Sequence, residues 1–140
     1  MLNCKVTPTP IVTGLKLIKV DDGSNVDLSL FKRMVGSLIY LTTTRPDIMY
    51  GVSLISRFME SPKDSHGKAC KIILRYVNRT KDFGILYSTS KNFRRFGYTD
   101  SDCGGSIDDK KITSRYFFHY GIGIVSWDSI KQPILTVSST

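Results

Sequence analysis

Paired cysteines are missing from this sequence. Cys4, Cys70 and Cys103 lie far apart, and no C-x-x-C occurs. That excludes a disulfide framework or a zinc knuckle as the organising device, and reduced thiols are the expectation. No apolar run approaches the length needed to span a bilayer. The start, "MLNCKVTPTPIVTG", lacks a basic segment followed by a continuous apolar core. No secretory leader and no membrane partner are therefore expected, and an intracellular location is favoured. Histidine is scarce: His66 and His119 stand alone, which suits structural or surface roles better than catalytic ones. The G-x-S-x-G elbow, the phosphate-binding P-loop and the dinucleotide glycine fingerprint are all absent, so no small-molecule substrate is evident. Internal repeats and low-complexity tracts are lacking too.

Against these absences stands a strong positive charge. The 140 residues carry 20 Lys and Arg against 12 Asp and Glu, a net +8. Residues 1–30 are neutral (three Lys, three acids), residues 31–99 carry thirteen basic and four acidic residues, and residues 100–140 carry four basic and five acidic ones. The excess therefore lies wholly in the middle, where it would attract a polyanion such as an RNA or DNA backbone. A basic surface serving solubility alone is the plainer alternative.

Pro8 and Pro10 in "TPTP" and the turn cluster "DDGSN" at 21–25 mark residues 1–26 as an irregular arm. A first helix should begin near Asp27 or Leu28, because Phe31, Met34, Val35, Leu38, Leu41 and Thr42 recur at three- and four-residue steps. "TTTRPD" at 42–47 should end it. Thr44 with Asp47 fits a capping box and Pro46 a first turn, so a second helix should follow to about Glu60, with Ile48, Val52, Ile55 and Met59 inward and Ser61-Pro62 as its stop. A third helix should run from Asp64 or Ser65 to about Arg79. Its apolar face is Cys70, Ile73, Leu74 and Val77; Lys68, Lys71, Arg75 and Arg79 fall opposite, either as a solvated face or as a stripe that tracks phosphates. Arg94 and Arg95 extend the candidate nucleic-acid contacts.

After residue 82 glycines and aromatics return. "FGILYS" (83–88), "FRRFGYTD" (93–100), "ITSRYFFHY" (112–120) and "GIVSW" (123–127) read as strands, with turns at "SIDDKK" (106–111) and "YGIG" (120–123), the latter closing a hairpin. The expectation is α+β: an arm at 1–26, a three-helix unit at 27–82 and an antiparallel β unit at 83–140. In "GYTDSDCGG" (97–105), Phe96, Tyr98, Asp100 and Asp102 should share one face of a strand. Two carboxylates at that spacing can converge on a hard cation such as magnesium, but spacing alone favours two solubilising acids at a strand end. A calcium loop is excluded, since Lys111 stands where its bidentate Glu would be needed.

Taken in order, "VGSLIYLTTTRPDIMYGVSLISRFMESP" (35–62), "HGKACKIILRYVNRTKDFGILY" (66–87), "GYTDSDCGGSIDDKKITSRYFF" (97–118), "VSW" (125–127) and "SST" (138–140) resemble the Pol polyprotein of copia-type retrotransposons over roughly residues 8–140. The matching region follows the polymerase palm. The resemblance implies reverse transcriptase thumb or connection helices at 27–82 and the start of a ribonuclease H-like sheet at 83–140. It also implies that Asp100 is the first metal-binding aspartate of that domain, with Asp102 a second acid of uncertain standing. In such enzymes four acids hold two magnesium ions for RNA cleavage. The polymerase acids would lie before Met1 and the next ribonuclease H acid after "SST", so the expected reading is a truncated, catalytically inactive fragment that is at most a residual nucleic-acid-binding module and holds no ion of its own. The match also has departures. Cys103 stands for a usual Trp, Gly104 for Ala and Ile130 for Lys, while Ile112 and Arg115 interrupt a stretch usually rich in Ser, Thr and Gly. Arg115 places a long cation where the family carries Gly, and a decayed copy is implied. The alternative is a secreted RxLR-type effector-like or other interaction protein derived from a retroelement. Against it, no R-x-L-R quartet follows any arginine.

Overall fold

The computed structural model describes residues 7–12, 14–19, 22–89, 94–102 and 108–133. It is an α+β chain of two compact units, Met1–Phe83 and Gly84–Thr140.

The first unit holds α1 (Leu28–Leu41), a short 3-10 turn (Pro46–Ile48), α2 (Met49–Ser56) and α3 (Asp64–Arg79). Asp27 caps α1 by accepting the Leu30 N–H at 3.1 Å. The expected stripe faces inward, with Phe31, Val35, Leu38 and Thr42 buried. At the far end, the Thr42, Thr43 and Thr44 hydroxyls donate to the carbonyls of Ile39, Tyr40 and Leu41, which also accept the backbone N–H groups of the same three threonines.

The capping box expected at Thr44 and Asp47 does not form, because both side chains have other partners. Thr44 turns back to α1. The Asp47 carboxylate accepts from Arg45 Nε at 2.8 Å, from Arg45 Nη2 at 2.6 Å and from the Tyr76 hydroxyl at 2.9 Å. Arg45 is buried, and it also donates to the Thr80 carbonyl at 2.8 Å and the Thr80 hydroxyl at 2.6 Å. Its guanidinium lies 5.8 Å from the ring centroids of both Tyr76 and Phe83. This network ties the turn before α2 to the C-terminal end of α3.

The second helix stops at Ser56 rather than Glu60. The Phe58 and Met59 N–H groups bond to the carbonyls three residues back, so the chain tightens, and Phe58 is buried against the His66 ring, with centroids 3.9 Å apart. His66 is structural, as expected. Its Nδ1 accepts the Lys63 N–H at 2.9 Å and its Nε2 pairs with the Ile18 carbonyl at 3.0 Å, which assigns the proton to Nε2. Ile48, Val52, Ile55, Ala69, Cys70 and Ile73 complete the core. The arm joins it too: Leu17 is buried, and Ile11 and Leu15 pack against the same cluster. Each fully buried aliphatic or aromatic side chain here contributes about 1.5–3 kcal/mol of transfer free energy.

The second unit is a three-stranded antiparallel sheet of β1 (Arg95–Asp102), β2 (Thr113–Tyr120) and β3 (Gly123–Lys131), in that order. The hairpin between β2 and β3 turns on Gly121 and Ile122. Gly121 has φ of 62°, the positive first position that a two-residue turn of type II′ needs. β3 runs four residues past the expected end, because Asp128, Ser129, Ile130 and Lys131 each have a partner on β2. Opposite the step from Phe118 to His119 the register shifts by one residue. Gly97 leaves room for the Phe118 ring across the strand: a Cβ there would lie 2.6 Å from it.

Residues 83–88 are not a strand. The Phe83 N–H closes a turn onto the Thr80 carbonyl, and Tyr87 reaches the sheet through its side chain, its hydroxyl donating to the Ile124 carbonyl at 2.7 Å. One side-chain bond takes the place of a backbone ladder. Cys4, Cys103, Gly104, Gly105, part of the 106–111 turn and the closing "SST" lie outside the described residues. Among the described residues, no helix is long and apolar enough to cross a membrane.

Candidate functional site

The register of β1 on β2 builds the site. Phe96, Tyr98, Asp100 and Asp102 face His119, Phe117, Arg115 and Thr113 respectively. Directly opposed side chains share a face, so the expected set is on one side of the sheet. Contact confirms it at the aromatic end, where Tyr98 stacks on Phe117 with centroids 4.8 Å apart and Phe117 meets His119 edge-on at 5.9 Å.

At the acidic end, Asp100 Oδ2 lies 2.6 Å from Arg115 Nη2. The carboxylate is 67% exposed and the arginine side chain 36% exposed, so the pair sits at the surface with its cation half-sheltered. Asp102 lies opposite Thr113, which is buried, and Thr113 in turn lies opposite Lys131. Lys131 Nζ binds Asp109 Oδ2 at 2.8 Å. Arg115 and Lys131 therefore balance Asp100 and Asp109 at this end of the sheet, and a guanidinium holds the Asp100 carboxylate where a divalent ion would need it. The residues present do not fit a magnesium site. Among the described residues, no group of three or more His, Cys, Asp or Glu side chains could hold a metal. The sequence flags Arg115 as an unusual cation within a strand, but its role as the Asp100 partner depends on register, which the sequence does not print. The Lys131–Asp109 bridge has no sequence signal.

The candidate nucleic-acid residues fall in both units. On α3, Lys68, Lys71 and Arg79 are exposed and Arg75 is half-buried, opposite the face that buries Ala69, Cys70, Ile73 and Tyr76. Lys68 pairs with Asp64 at 2.6 Å, which draws part of its charge back to the helix. In the β unit, Arg94 and Arg95 are exposed; Arg95 lies opposite Tyr120, on the face away from Asp100.

Known proteins supply the context. Over its full 140 residues the chain is 37% identical to the "Retrovirus-related Pol polyprotein from transposon RE2" of Arabidopsis thaliana, covering 10% of that protein. It is likewise 37% identical to the "Retrovirus-related Pol polyprotein from transposon TNT 1-94" of Nicotiana tabacum, covering 11% of it. A "Secreted RxLR effector protein 161" of Plasmopara viticola is 36% identical over 76% of this chain and 75% of its own length. No family model matches the chain, and no solved structure does. Over its whole length the chain is similar to a segment of the retrovirus-related Pol polyproteins of transposons. It spans about a tenth of the length of those it matches.

Proposed function

We propose that this chain is a copia-type Pol segment that runs from the helices after the polymerase palm into the first strands of a ribonuclease H-like sheet. By itself it is catalytically inactive and retains non-specific binding of RNA or DNA backbone. The observation that supports binding is the outer face of α3, where Lys71 and Arg79 stand exposed opposite a buried apolar face. Such cations attract phosphates without reading bases. Inactivity is supported by the commitment of the Asp100 carboxylate to Arg115: metal-assisted phosphodiester cleavage needs free carboxylates that hold ions for the attacking and leaving oxygens. Asp100 is then a vestigial ligand, Asp102 a neighbour with no assigned step, and magnesium a cofactor of the parent family only.

Anisotropy with a labelled RNA–DNA hybrid tests the binding. Affinity should fall linearly on a log–log plot against salt, with a slope of about −0.9 per phosphate contacted, and Lys71→Ala with Arg79→Ala should flatten it by roughly two such steps. A slope unaffected by salt, or no binding at low salt, rules the reading out. Turnover of the hybrid with magnesium that Asp100→Asn abolishes would overturn inactivity. A second reading, an interaction protein derived from a retroelement, is favoured by the likeness to the effector protein, three quarters of which the chain covers. Export of the expressed chain would bring that reading forward.

A further inference from the structure

We infer that Arg115 is the resident cation of the Asp100 site and that it keeps divalent ions off this face of the sheet. The inference rests on the reading of Asp100 as a vestigial metal ligand and adds what replaced the metal. Three observations carry it. Asp100 and Arg115 are direct register partners, so the sheet itself holds the two side chains together. Their 2.6 Å contact is an ion pair that brings the guanidinium directly onto the carboxylate. Asp102, the one other acid of β1, lies two residues on along the same face, so an ion bridging both carboxylates would sit beside the guanidinium. Lys131, across Thr113 on β3, adds a second positive charge to this end, although it is bound to Asp109.

The experiment is a Mn2+ titration of the full chain, followed by paramagnetic broadening of backbone amide signals, a readout independent of any activity. In the unsubstituted chain, the amides of residues 99–102 should broaden no earlier than those near the exposed acid Glu60. In Arg115→Ala they should vanish at roughly tenfold lower Mn2+. Arg115→Gln, which keeps most of the side chain's bulk, should behave the same way and covers the case in which Ala unfolds the sheet. Adding Asp100→Asn to either variant should abolish the gain. Selective broadening at 99–102 in the unsubstituted chain overturns the inference, as does failure of both folded variants to gain it. Neither result bears on backbone binding by α3. Hydrolysis of a hybrid would instead overturn the inactive reading directly, so the two failures are distinguishable.

Discussion

Arg45 has more assigned partners than any other side chain described in the helical unit. It is 5% exposed, bonded through three of its nitrogens, and flanked by two aromatic rings. Replacing it with Met fills much of the space but removes two of the three donors to the Asp47 carboxylate and one of the two to the Thr80 carbonyl, leaving them only the Tyr76 hydroxyl and the Phe83 N–H. The expected loss is about 2–4 kcal/mol, slightly below that of a fully buried pair because Asp47 is 31% exposed, read as a fall in the urea midpoint. The same network sets a pH dependence. Burial pushes the Asp47 carboxyl up, but hydrogen bonds from Arg45 and Tyr76 and the Arg45 charge outweigh it, so it titrates below its ordinary value of 3.8. A depressed folded value means the stabilisation is complete above the unfolded value and is lost as pH falls through the folded one. Asp47→Asn should therefore destabilise the chain at neutral pH, and the gap from the unsubstituted protein should shrink below about pH 4. A gap that is constant from pH 7 to pH 3 would refute this assignment. Cys70 makes a simpler case: burial pushes its thiol up to about 11, with Lys71 pulling weakly the other way. Alkylation of the folded chain at about pH 8 should leave the Cys70 peptide unmodified in a mass spectrum, and denaturant should expose it.

At the scale of elements, α1 tests local capping. Asp27→Ala removes the bond to the Leu30 N–H and should cost about 0.5–2 kcal/mol in thermal or urea unfolding, with Asp27→Ser recovering most of it. The start of α1 was legible in the sequence, as were its inward stripe and the face of α3 that carries Cys70 and Ile73, because helix periodicity and caps are local signals. The elements that misread are those decided by distant partners. Asp47 looks like a capping acid until Tyr76 and Arg45 claim it. Residues 83–88 have strand composition, but their aromatic, Tyr87, packs over Gly123 and bonds to Ile124 through its hydroxyl. His66 illustrates the same limit: its structural character was readable, its exact partners at Lys63 and Ile18 were not. For the candidate site, a shared face for Asp100 and Asp102 followed from strand alternation alone, whereas the salt bridge to Arg115 required a register set by hairpin geometry.

Across the whole chain the two units differ in how they are held. All the buried hydrophobic side chains among the described residues lie between Leu17 and Tyr76. The sheet buries Thr113 and Ser129 instead, while Phe96, Tyr98, Phe117, Phe118, Tyr120, Val125 and Ile130 remain exposed on its strands. Backbone pairing alone does not stabilise three strands, because each interstrand hydrogen bond replaces one to water and contributes little net free energy. The helical unit therefore carries most of the folding free energy. Native-state hydrogen exchange should show this as a step in protection. Amides within α1 and α3 should exchange by the most costly opening, and those of β1, β2 and β3 should exchange far sooner through an opening that leaves the helices intact. Arg45→Met should then accelerate exchange in α3 by the same factor by which it lowers global stability, while the sheet amides, already limited by their own cheaper opening, should change little. Equal protection in both units, or an equal response of both to the Arg45 substitution, would show instead that the sheet and the helices unfold as one.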